Sequence, residues 1–290
     1  MNDSRDFKKE YEAFLKKVPY QTAVVDDVKV RYQYGGRDGA PVILFFNGLE
    51  MQEMWMPYAE KLGKEYRFLI YEYPFHTTKA DEQIDFAAKL LTALSIEKVI
   101  LIGASDGGIY AQIFAKRHPE LVLTMILMTT LTVDSDYVRD IRKERFSAPI
   151  LLRLLRLVPA KTELNLLLKK SKGFLECESE EDQKYGRGFY EVVASDLNYK
   201  RRFIHSFKSV YMLRDYPIFE ENDFEYLRGK IQVLLPEKDI FKKEDQHRLA
   251  DLFGKLDAEI LSVPGGHVGF IVQSEYYIDW MERFLEKKVI

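Results

Sequence analysis

The chain has 290 residues, of which 47% are hydrophobic, so it can bury a large core and does not resemble a disordered protein. Its 43 basic and 46 acidic residues give a formal net charge of -3, which provides no general attraction for nucleic acid or an anionic membrane. The single cysteine, Cys177, excludes an intramolecular disulfide and a zinc site built from several cysteines.

The first residues favour a cytoplasmic protein. Residues 1–6 are polar, whereas a signal peptide begins with a basic patch followed by an apolar run. No window approaches 18 uninterrupted apolar residues, so we expect no integral membrane association. The sequence leaves the oligomeric state open, with a homodimer as one alternative.

The first half of the chain alternates predicted strands and helices. An amphipathic helix is predicted over 4–17, and the alternating run at 28–34 is typical of an antiparallel edge strand with one solvated face. The run at 41–46 is continuously apolar, as in a strand buried on both faces. Further predicted strands cover 22–25, 67–71, 99–101 and 121–128, and further predicted helices cover 52–63 and 80–94. This alternation predicts an α/β fold, with a mostly parallel central sheet flanked by helices.

The pattern changes after residue 130. Between 133 and 228 the sequence contains only helix-like segments rich in charged and aromatic residues. The earlier pattern then resumes, with strands predicted at 231–235 and 259–263 and helices at 243–254 and 274–287. We therefore predict a core of residues 1–132 and 229–290, and an inserted helical cap of residues 133–228. The cap is expected over the carboxyl ends of the strands, where open α/β sheets bind ligands.

The predicted cap contains a short helix over 150–158, bounded by Pro149 and Pro159. Residues 142–172 include nine basic and two acidic residues among many apolar ones. This composition is typical of a lid over an apolar pocket, or of a lid that contacts a membrane surface as in a lipase. The acidic residues at 176–182 favour the first alternative because they can neutralise the basic charge within the cap.

The most informative motif is Gly103-Ala104-Ser105-Asp106-Gly107, between the run at 99–101 and a helix-like run. A G-x-S-x-G sequence in this position is typical of a nucleophile elbow, which holds a serine at the sheet edge and the amino end of a helix. Gly103 and Gly107 suit so tight a turn because a Cβ at either position would collide with neighbouring backbone. The alternatives are a glycine-rich turn without chemistry and a phosphate-binding loop.

A serine nucleophile needs a base to remove its proton. His267 is the best candidate among five histidines because it follows the last predicted strand on a glycine-rich loop. His118 lies at the far end of the elbow helix, where it suits the helix dipole. His247, in a charged helical stretch, and His205, in the predicted cap, are weaker candidates. His76 either lines the pocket or lies on a surface loop.

The base in turn needs an acid to orient it, and Asp239 is the preferred one. It follows the strand predicted at 231–235, on the same edge of the sheet as the elbow. It precedes His267 by 28 residues, which hold one helix and one strand, so the two loops should be neighbours. The order serine, acid, histidine is also the one found with a nucleophile elbow. Glu237 nearby and Asp134 after the run at 121–128 are the alternatives.

Negative charge that develops on an attacked carbonyl oxygen needs hydrogen-bond donors already in place. The first predicted donor is the backbone N–H of Asp106, and the second is that of Leu49, in the loop after the strand at 41–46. Gly48 would let this loop approach the serine closely. The predicted substrate-binding residues are Asn47, Gly48, Asp106 and His76.

The Asp106 side chain has two interpretations. A carboxylate beside the serine favours cationic substrates such as α-amino esters and repels anionic ones. Alternatively, the carboxylate only stabilises the first turn of the elbow helix.

These residues carry a resemblance to the α/β-hydrolase family with an inserted helical cap, over nearly the whole chain. Asn47 stands where many members have histidine, which leaves the backbone donor unaffected. The loop at 72–76 differs from that of many members, which have an aspartate followed by glycines at this position. This difference affects the expected rim of the pocket. The resemblance implies hydrolysis through a Ser-His-Asp triad, with no metal and no organic cofactor.

A narrower resemblance concerns segments 24–27 and 66–74 and the residues around Ser105, which are similar to the maspardin-like subgroup. It implies an alternative, a catalytically silent protein that uses the cap to bind or scaffold other proteins. The presence of His267 favours a relative that retains chemistry.

The sequence therefore predicts a serine hydrolase that cleaves an ester or amide of a small, largely apolar substrate. Ser105 would be the nucleophile, His267 the base and Asp239 the orienting acid. The expected partner is this small molecule and not a nucleic acid. The alternatives are the binding protein described above and a carbon–carbon bond hydrolase, which uses the same three residues.

Overall fold

The computed structural model describes residues 5–143, 157, 158, 162, 169 and 172–288. Its centre is a sheet of eight strands in the order β1-β2-β4-β3-β5-β6-β7-β8. The strands are β1 (Gln21–Val25), β2 (Val28–Gly36), β3 (Val42–Phe46), β4 (Arg67–Tyr71), β5 (Val99–Ala104), β6 (Val122–Met128), β7 (Ile231–Lys238) and β8 (Glu259–Gly266). Strands β1 and β2 pair antiparallel at one edge, and all pairs from β4 to β8 are parallel. The predicted mostly parallel sheet is confirmed.

Helices cover both faces of this sheet. They are α1 (Phe7–Lys17), α2 (Met56–Leu62), α3 (Ala80–Ala93), α4 (Asp106–Arg117), α5 (Asp136–Lys143), α6 (Glu180–Ser195), α7 (Tyr199–Leu213), α8 (Lys243–Gly254), α9 (Gly269–Val272) and α10 (Ser274–Lys288). Shorter 3-10 segments lie at Gly48–Glu50, Gln52–Trp55, Pro119–Leu121 and Glu221–Leu227. Within the described ranges, no helix has the length and apolar character needed to cross a membrane.

Strand β3 shows how the core is divided between the two faces. Val42, Leu44 and Phe46 point into a cluster shared with α3, α4 and α8, whereas Ile43 and Phe45 point into a cluster shared with α1, α2 and α10. All five side chains are buried, because alternate residues of a strand face opposite sides and helices cover both sides. The continuous apolar run in the sequence follows from this arrangement.

Strands β7 and β8 extend further than their apolar runs predict, to Lys238 and Gly266. Pro236 lies inside β7, but it is beyond the last pair with β6, which joins Met128 to Leu234. Its missing N–H therefore breaks no bond to β6, and β7 continues beside β8 alone. As a consequence, Asp239 and His267 are each the first residue after their strand.

The described part of 133–228 contains helices α5, α6 and α7, one 3-10 segment, and further helical residues at 162, 169 and 172–175. The boundaries of the predicted cap remain a prediction. The helix predicted over 150–158 lies outside the described residues, except for residues 157 and 158.

Buried polar pairs join α7 to the segment that follows β3. The Arg202 guanidinium donates to the Glu53 carboxylate at 2.8 Å, and each side chain is only 3% exposed. Nearby, His205 Nδ1 lies 2.5 Å from Glu50 Oε1, and His205 Nε2 donates to the Thr77 carbonyl at 2.6 Å. These contacts hold the segment after β3 against α7.

Arg202→Met is expected to lower the free energy of unfolding by about 3–5 kcal/mol, because Glu53 would stay buried without its partner. Urea unfolding monitored by circular dichroism would measure this loss. Arg37→Met is the matched control, since Arg37 pairs with Glu65 at the surface and such pairs contribute about 1 kcal/mol or less. Equal losses in the two variants would contradict the importance of the buried pair.

Candidate active site

Ser105 occupies a strained turn between β5 and α4. Its backbone has φ 54° and ψ -131°, a conformation that non-glycine residues rarely adopt. A Cβ on Gly103 would lie 2.6 Å from the Gly107 carbonyl oxygen, and one on Gly107 would lie 2.2 Å from the Phe46 carbonyl oxygen. Both positions therefore require glycine, as predicted. The elbow is further fixed by the Thr130 hydroxyl, which donates to the Ser105 carbonyl at 2.5 Å.

A chain of two hydrogen bonds joins Ser105, His267 and Asp239, which we call the triad. Ser105 Oγ lies 3.2 Å from His267 Nε2, and His267 Nδ1 lies 2.8 Å from Asp239 Oδ1. The Asp239 side chain is 1% exposed and that of His267 is 12% exposed. The structure thus brings together the three residues that the sequence singles out, although they lie up to 162 positions apart.

Asp239 is oriented by neighbours on the same side of the sheet. The Phe241 N–H donates to Asp239 Oδ1 at 3.3 Å, and the Gln246 amide donates to Oδ2 at 3.4 Å. The Phe241 ring packs edge-on against the His267 ring with centroids 4.9 Å apart, and the Phe174 ring lies 6.4 Å away. Two aromatic rings therefore border the imidazole.

The other four histidines contact different partners or solvent. His118 lies 3.0 Å from Asp85, and His205 is the buried partner of Glu50. His247 is exposed. His76 is also exposed and packs against the Phe86 ring on the loop after β4, with ring centroids 5.9 Å apart.

The two alternative acids lie outside the triad. Glu237 is exposed at the end of β7. The Asp134 carboxylate accepts a hydrogen bond from the Thr132 hydroxyl, and its carbonyl accepts one from Arg248.

Glu178 holds the loop that carries His267, a role that sequence reasoning missed. Its carboxylate accepts hydrogen bonds from the Gly266 N–H at 2.7 Å and from the Gln273 amide at 2.9 Å. The preceding residue, Gly265, has φ +87° and turns the chain beneath this carboxylate. Glu178 belongs to an acidic run and lies 88 residues from Gly266, so no local pattern identifies it.

The loop after β3 approaches Ser105 closely. A Cβ on Gly48 would lie 3.1 Å from the Ser105 Cβ and 3.0 Å from the Ala104 carbonyl oxygen. Leu49 and Glu50 follow with φ 47° and 55°, two successive left-handed residues that lack the freedom of glycine. The Leu49 N–H points at the elbow, where it donates to Asp106 Oδ1 at 2.8 Å.

Asn47 anchors this loop from below. Its side chain is fully buried and donates to the Tyr71 carbonyl at 2.9 Å, and its backbone N–H donates to the Tyr73 hydroxyl at 2.8 Å. The side chain therefore points towards β4 and away from the surface at which a substrate would bind.

The environment of Asp106 changes its acidity. Burial raises its pKa to about 7, and the nearby Glu50 carboxyl also raises it. Hydrogen bonds from the Leu49 N–H and from its own backbone N–H act in the opposite direction because they stabilise the carboxylate. Near neutral pH, Asp106 is therefore close to the midpoint of its titration.

The arrangement suits proton transfer from a serine hydroxyl. An imidazole whose Nδ1–H donates to Asp239 presents an unprotonated Nε2 to Ser105, which is the form that can accept the hydroxyl proton. Among the residues that the structure describes, no group of three His, Cys, Asp or Glu side chains is arranged to bind a metal ion.

The comparisons with solved structures show similar folds at low identity. A bacterial membrane phospholipase A superposes with a TM-score of 0.69 at 17% identity, covering 97% of this chain and 88% of that chain. An enol-lactonase from Burkholderia xenovorans LB400 gives a TM-score of 0.65 at 18% identity, covering 92% and 100%. A meta-cleavage product hydrolase from Pseudomonas fluorescens IP01 gives a TM-score of 0.67 at 19% identity, covering 92% and 97%.

No curated protein matches the sequence. The family model of the alpha/beta hydrolase fold matches residues 41–273, which include the strands from β3 to β8, the elbow and all three triad residues. Because this match covers most of the chain, the protein belongs to the alpha/beta hydrolase fold family.

Proposed function

We propose that the protein is a serine hydrolase that cleaves a carboxylic ester or amide through an acyl-enzyme. The observation that carries the proposal is the chain of hydrogen bonds from Ser105 Oγ through His267 to the buried Asp239 carboxylate. This chain supplies a nucleophile, a base and a group that fixes the tautomer of the base. The strained backbone conformation at Ser105 fits this proposal, because it holds the serine hydroxyl within reach of the His267 imidazole.

In the first half of the reaction, Ser105 Oγ attacks the substrate carbonyl carbon while its proton moves to His267 Nε2. The carbonyl oxygen becomes an oxyanion, for which the N–H groups of Leu49 and Asp106 are the proposed donors. His267 then gives its proton to the leaving alcohol or amine as the carbon–heteroatom bond breaks. Asp239 stays ionised throughout and stabilises the imidazolium that forms in between.

In the second half, water attacks the acyl-enzyme and gives a proton to His267 Nε2. The bond between the acyl carbon and Ser105 Oγ then breaks, and the proton returns to the serine. The products are a carboxylic acid and a free enzyme in its starting protonation state. No cofactor takes part in the proposed reaction.

Labelling with a fluorophosphonate tests whether Ser105 is nucleophilic. The wild-type protein is expected to be labelled at Ser105, as shown by mass spectrometry of the modified peptide. Ser105→Ala should show no labelling because it lacks the attacking oxygen, and thermal unfolding would establish that the variant is folded. Absence of Ser105-dependent labelling from a folded wild-type protein would favour the catalytically silent binding protein instead.

The assignment of Asp239 is tested by exchange of its carboxylate for an amide. Asp239→Asn is expected to lower kcat by about 10,000-fold, because the amide favours the wrong imidazole tautomer. Glu237→Gln is the matched control, since Glu237 is exposed only two residues away, and its kcat should be unchanged. Steady-state hydrolysis of a chromogenic ester measures both values. A comparable loss in the control variant would argue against Asp239.

The substrate is proposed to be neutral and largely apolar. The Phe241 and Phe174 rings border the imidazole, and the Asp106 carboxyl already accepts a hydrogen bond from the Leu49 N–H. A group engaged in this way is less available to bind a substrate ammonium. The three similar structures differ in the activities named for them, so they do not select one substrate class.

Two p-nitrophenyl esters that differ only by an α-amino group test this proposal. The two esters are compared at a pH below the pKa of the amino group of the phenylalanine ester, where this group is charged. Under these conditions the 3-phenylpropionate ester is expected to have the higher kcat/KM. A clear preference for the amino ester would instead show that Asp106 binds a cation. Cleavage of a carbon–carbon substrate but of neither ester would favour the alternative activity.

A further inference from the structure

The Asp106 carboxyl lies at the position that the carbonyl oxygen of a substrate would occupy in the proposed mechanism. Its Oδ1 accepts a hydrogen bond from the Leu49 N–H at 2.8 Å. The Leu49 N–H is one of the two donors that the proposed mechanism assigns to the substrate oxyanion. Asp106 Oδ1 and the Ser105 side chain both lie next to Gly48. A Cβ on Gly48 would be 3.4 Å from Asp106 Oδ1 and 3.1 Å from the Ser105 Cβ.

We propose that the Asp106 side chain occupies the oxyanion site of the unliganded protein and limits the rate of acyl transfer, because it must rotate away before a carbonyl oxygen can bind. This inference rests on the proposed function, since it concerns the same serine and the same donors. It makes Asp106 a residue with two opposed effects: its backbone N–H assists the reaction, whereas its side chain competes with the substrate.

A carboxylate is an effective competitor at this position. Hydrogen bonds to an ionised acceptor are stronger than those to a neutral carbonyl, so the resting contact is favoured over the first contact with a substrate. If the carboxylate stays near the site, its negative charge also opposes the charge that develops on the substrate oxygen. Both effects raise the barrier to acyl transfer and leave the triad geometry unchanged.

A different role for Asp106 would be to support the strained Leu49–Glu50 turn. This turn has other anchors, because Arg202 donates to the Glu50 carbonyl at 3.2 Å and the Met51 N–H donates to the Gly48 carbonyl at 2.9 Å. The Glu50 side chain is held separately by His205. The turn therefore has support without the Asp106 carboxyl, which favours the competing role over the supporting one.

The competition should depend on pH. Asp106 has a pKa of about 7, and the groups that influence it or lie close to it are Glu50, Tyr73, Tyr110 and Tyr137. Burial raises the pKa of all four of these groups, so the three tyrosines remain uncharged through neutral pH. As pH rises through 7, the Asp106 carboxyl ionises and becomes a stronger acceptor. Inhibition by the side chain should therefore be weakest in acid and strongest in base.

The rate of Ser105 phosphonylation by a fluorophosphonate tests the competition, because the phosphoryl oxygen needs the same donors. Asp106→Ala removes the competing side chain and keeps the backbone N–H, so it should react about tenfold faster than wild type or more at pH 8.5. Asp106→Asn keeps a neutral acceptor and should lie between the two. The ratio of the Asp106→Ala rate to the wild-type rate should decrease towards pH 6, where the wild-type carboxyl is protonated.

Asp257→Asn provides the control for loss of one negative charge. Asp257 lies in the turn before the amino end of β8, whereas His267 follows the carboxyl end of that strand, so the Asp257→Asn variant should react at the wild-type rate. Rates for the Asp106 variants that are equal to or slower than wild type at every pH would overturn the inference. Slower rates would show that the side chain supports the loop.

Failure of the hydrolase proposal gives a different result. In that case neither the wild-type protein nor Asp106→Ala would show labelling that depends on Ser105, and both proposals would fall. Labelling of Asp106→Ala without labelling of wild type would support the competition strongly. Ser105-dependent labelling of wild type at a rate that the Asp106 variants share would overturn the inference and leave the proposed function intact.

Occupancy can also be measured without any reaction. The amide proton of Leu49 should shift downfield as pH rises through about 7, because its acceptor becomes a carboxylate. Asp106→Asn should abolish this titration, which can be followed by proton–nitrogen correlation spectra of deuterated protein. A Leu49 amide that does not titrate in the wild-type protein would overturn the proposed occupancy.

Discussion

The constraint on which the site depends is the register of parallel strands at one edge of the sheet. Phe46 of β3 pairs with Gly103 of β5, so the loop with the proposed oxyanion donor and the loop with Ser105 emerge side by side. Lys238 of β7 pairs with Gly266 of β8 in the same way, and the next residues are Asp239 and His267. Each functional loop therefore starts from a position fixed by backbone hydrogen bonds.

This constraint also explains the close approach of the elbow to its neighbour. The backbone of Gly107 packs against the Phe46 carbonyl so closely that a methyl group would not fit between them. The loop after β3 can therefore reach α4 at its first residue, where N–H groups remain without partners inside the helix. A strand shifted by one residue would turn its side chains to the opposite face of the sheet. It would also separate the loop after β3 from the first residue of α4.

The segment after β6 supplies side chains that contact two loops near Ser105. Arg202 and His205 of α7 contact Glu53 and Glu50 beside the proposed oxyanion loop, whereas Glu178 holds the loop that carries His267. Charged groups are costly to bury unless they are paired, so each contact is tolerated only in a well-defined geometry. The segment therefore contacts both the loop after β3 and the loop that carries His267.

Much of the fold and the triad can be predicted from the sequence, because both depend on local patterns. Apolar runs identify the strands, and Gly103 and Gly107 identify the elbow. Chain order then selects Asp239 and His267. The exact ends of β7 and β8 cannot be found in this way, since Pro236 and the terminal glycines interrupt the apolar pattern although pairing continues.

The contacts that hold the site cannot be predicted in the same way, since they join distant parts of the chain. Glu50 and His205 are 155 residues apart, and nothing in the sequence around His205 distinguishes a base from a structural partner. The left-handed conformation of Leu49 also lacks the glycine that normally signals it. Such features appear only when tertiary packing determines a local conformation that the residue itself does not favour.

Asp106 shows how one residue of the elbow serves two opposing requirements. At the first position of α4, a carboxylate is favoured by the helix dipole and by free N–H groups, and this holds for any anion at a helix amino end. The Leu49 N–H that donates to this carboxyl is also a proposed donor to the oxyanion, so in the proposed mechanism the side chain competes with the transition state. Burial resolves part of the conflict, because it raises the pKa of Asp106 to about 7 and so keeps a fraction of the carboxyl groups uncharged at neutral pH. The proposed chemistry of the site would therefore depend both on the triad and on the charge of Asp106, the residue next to Ser105.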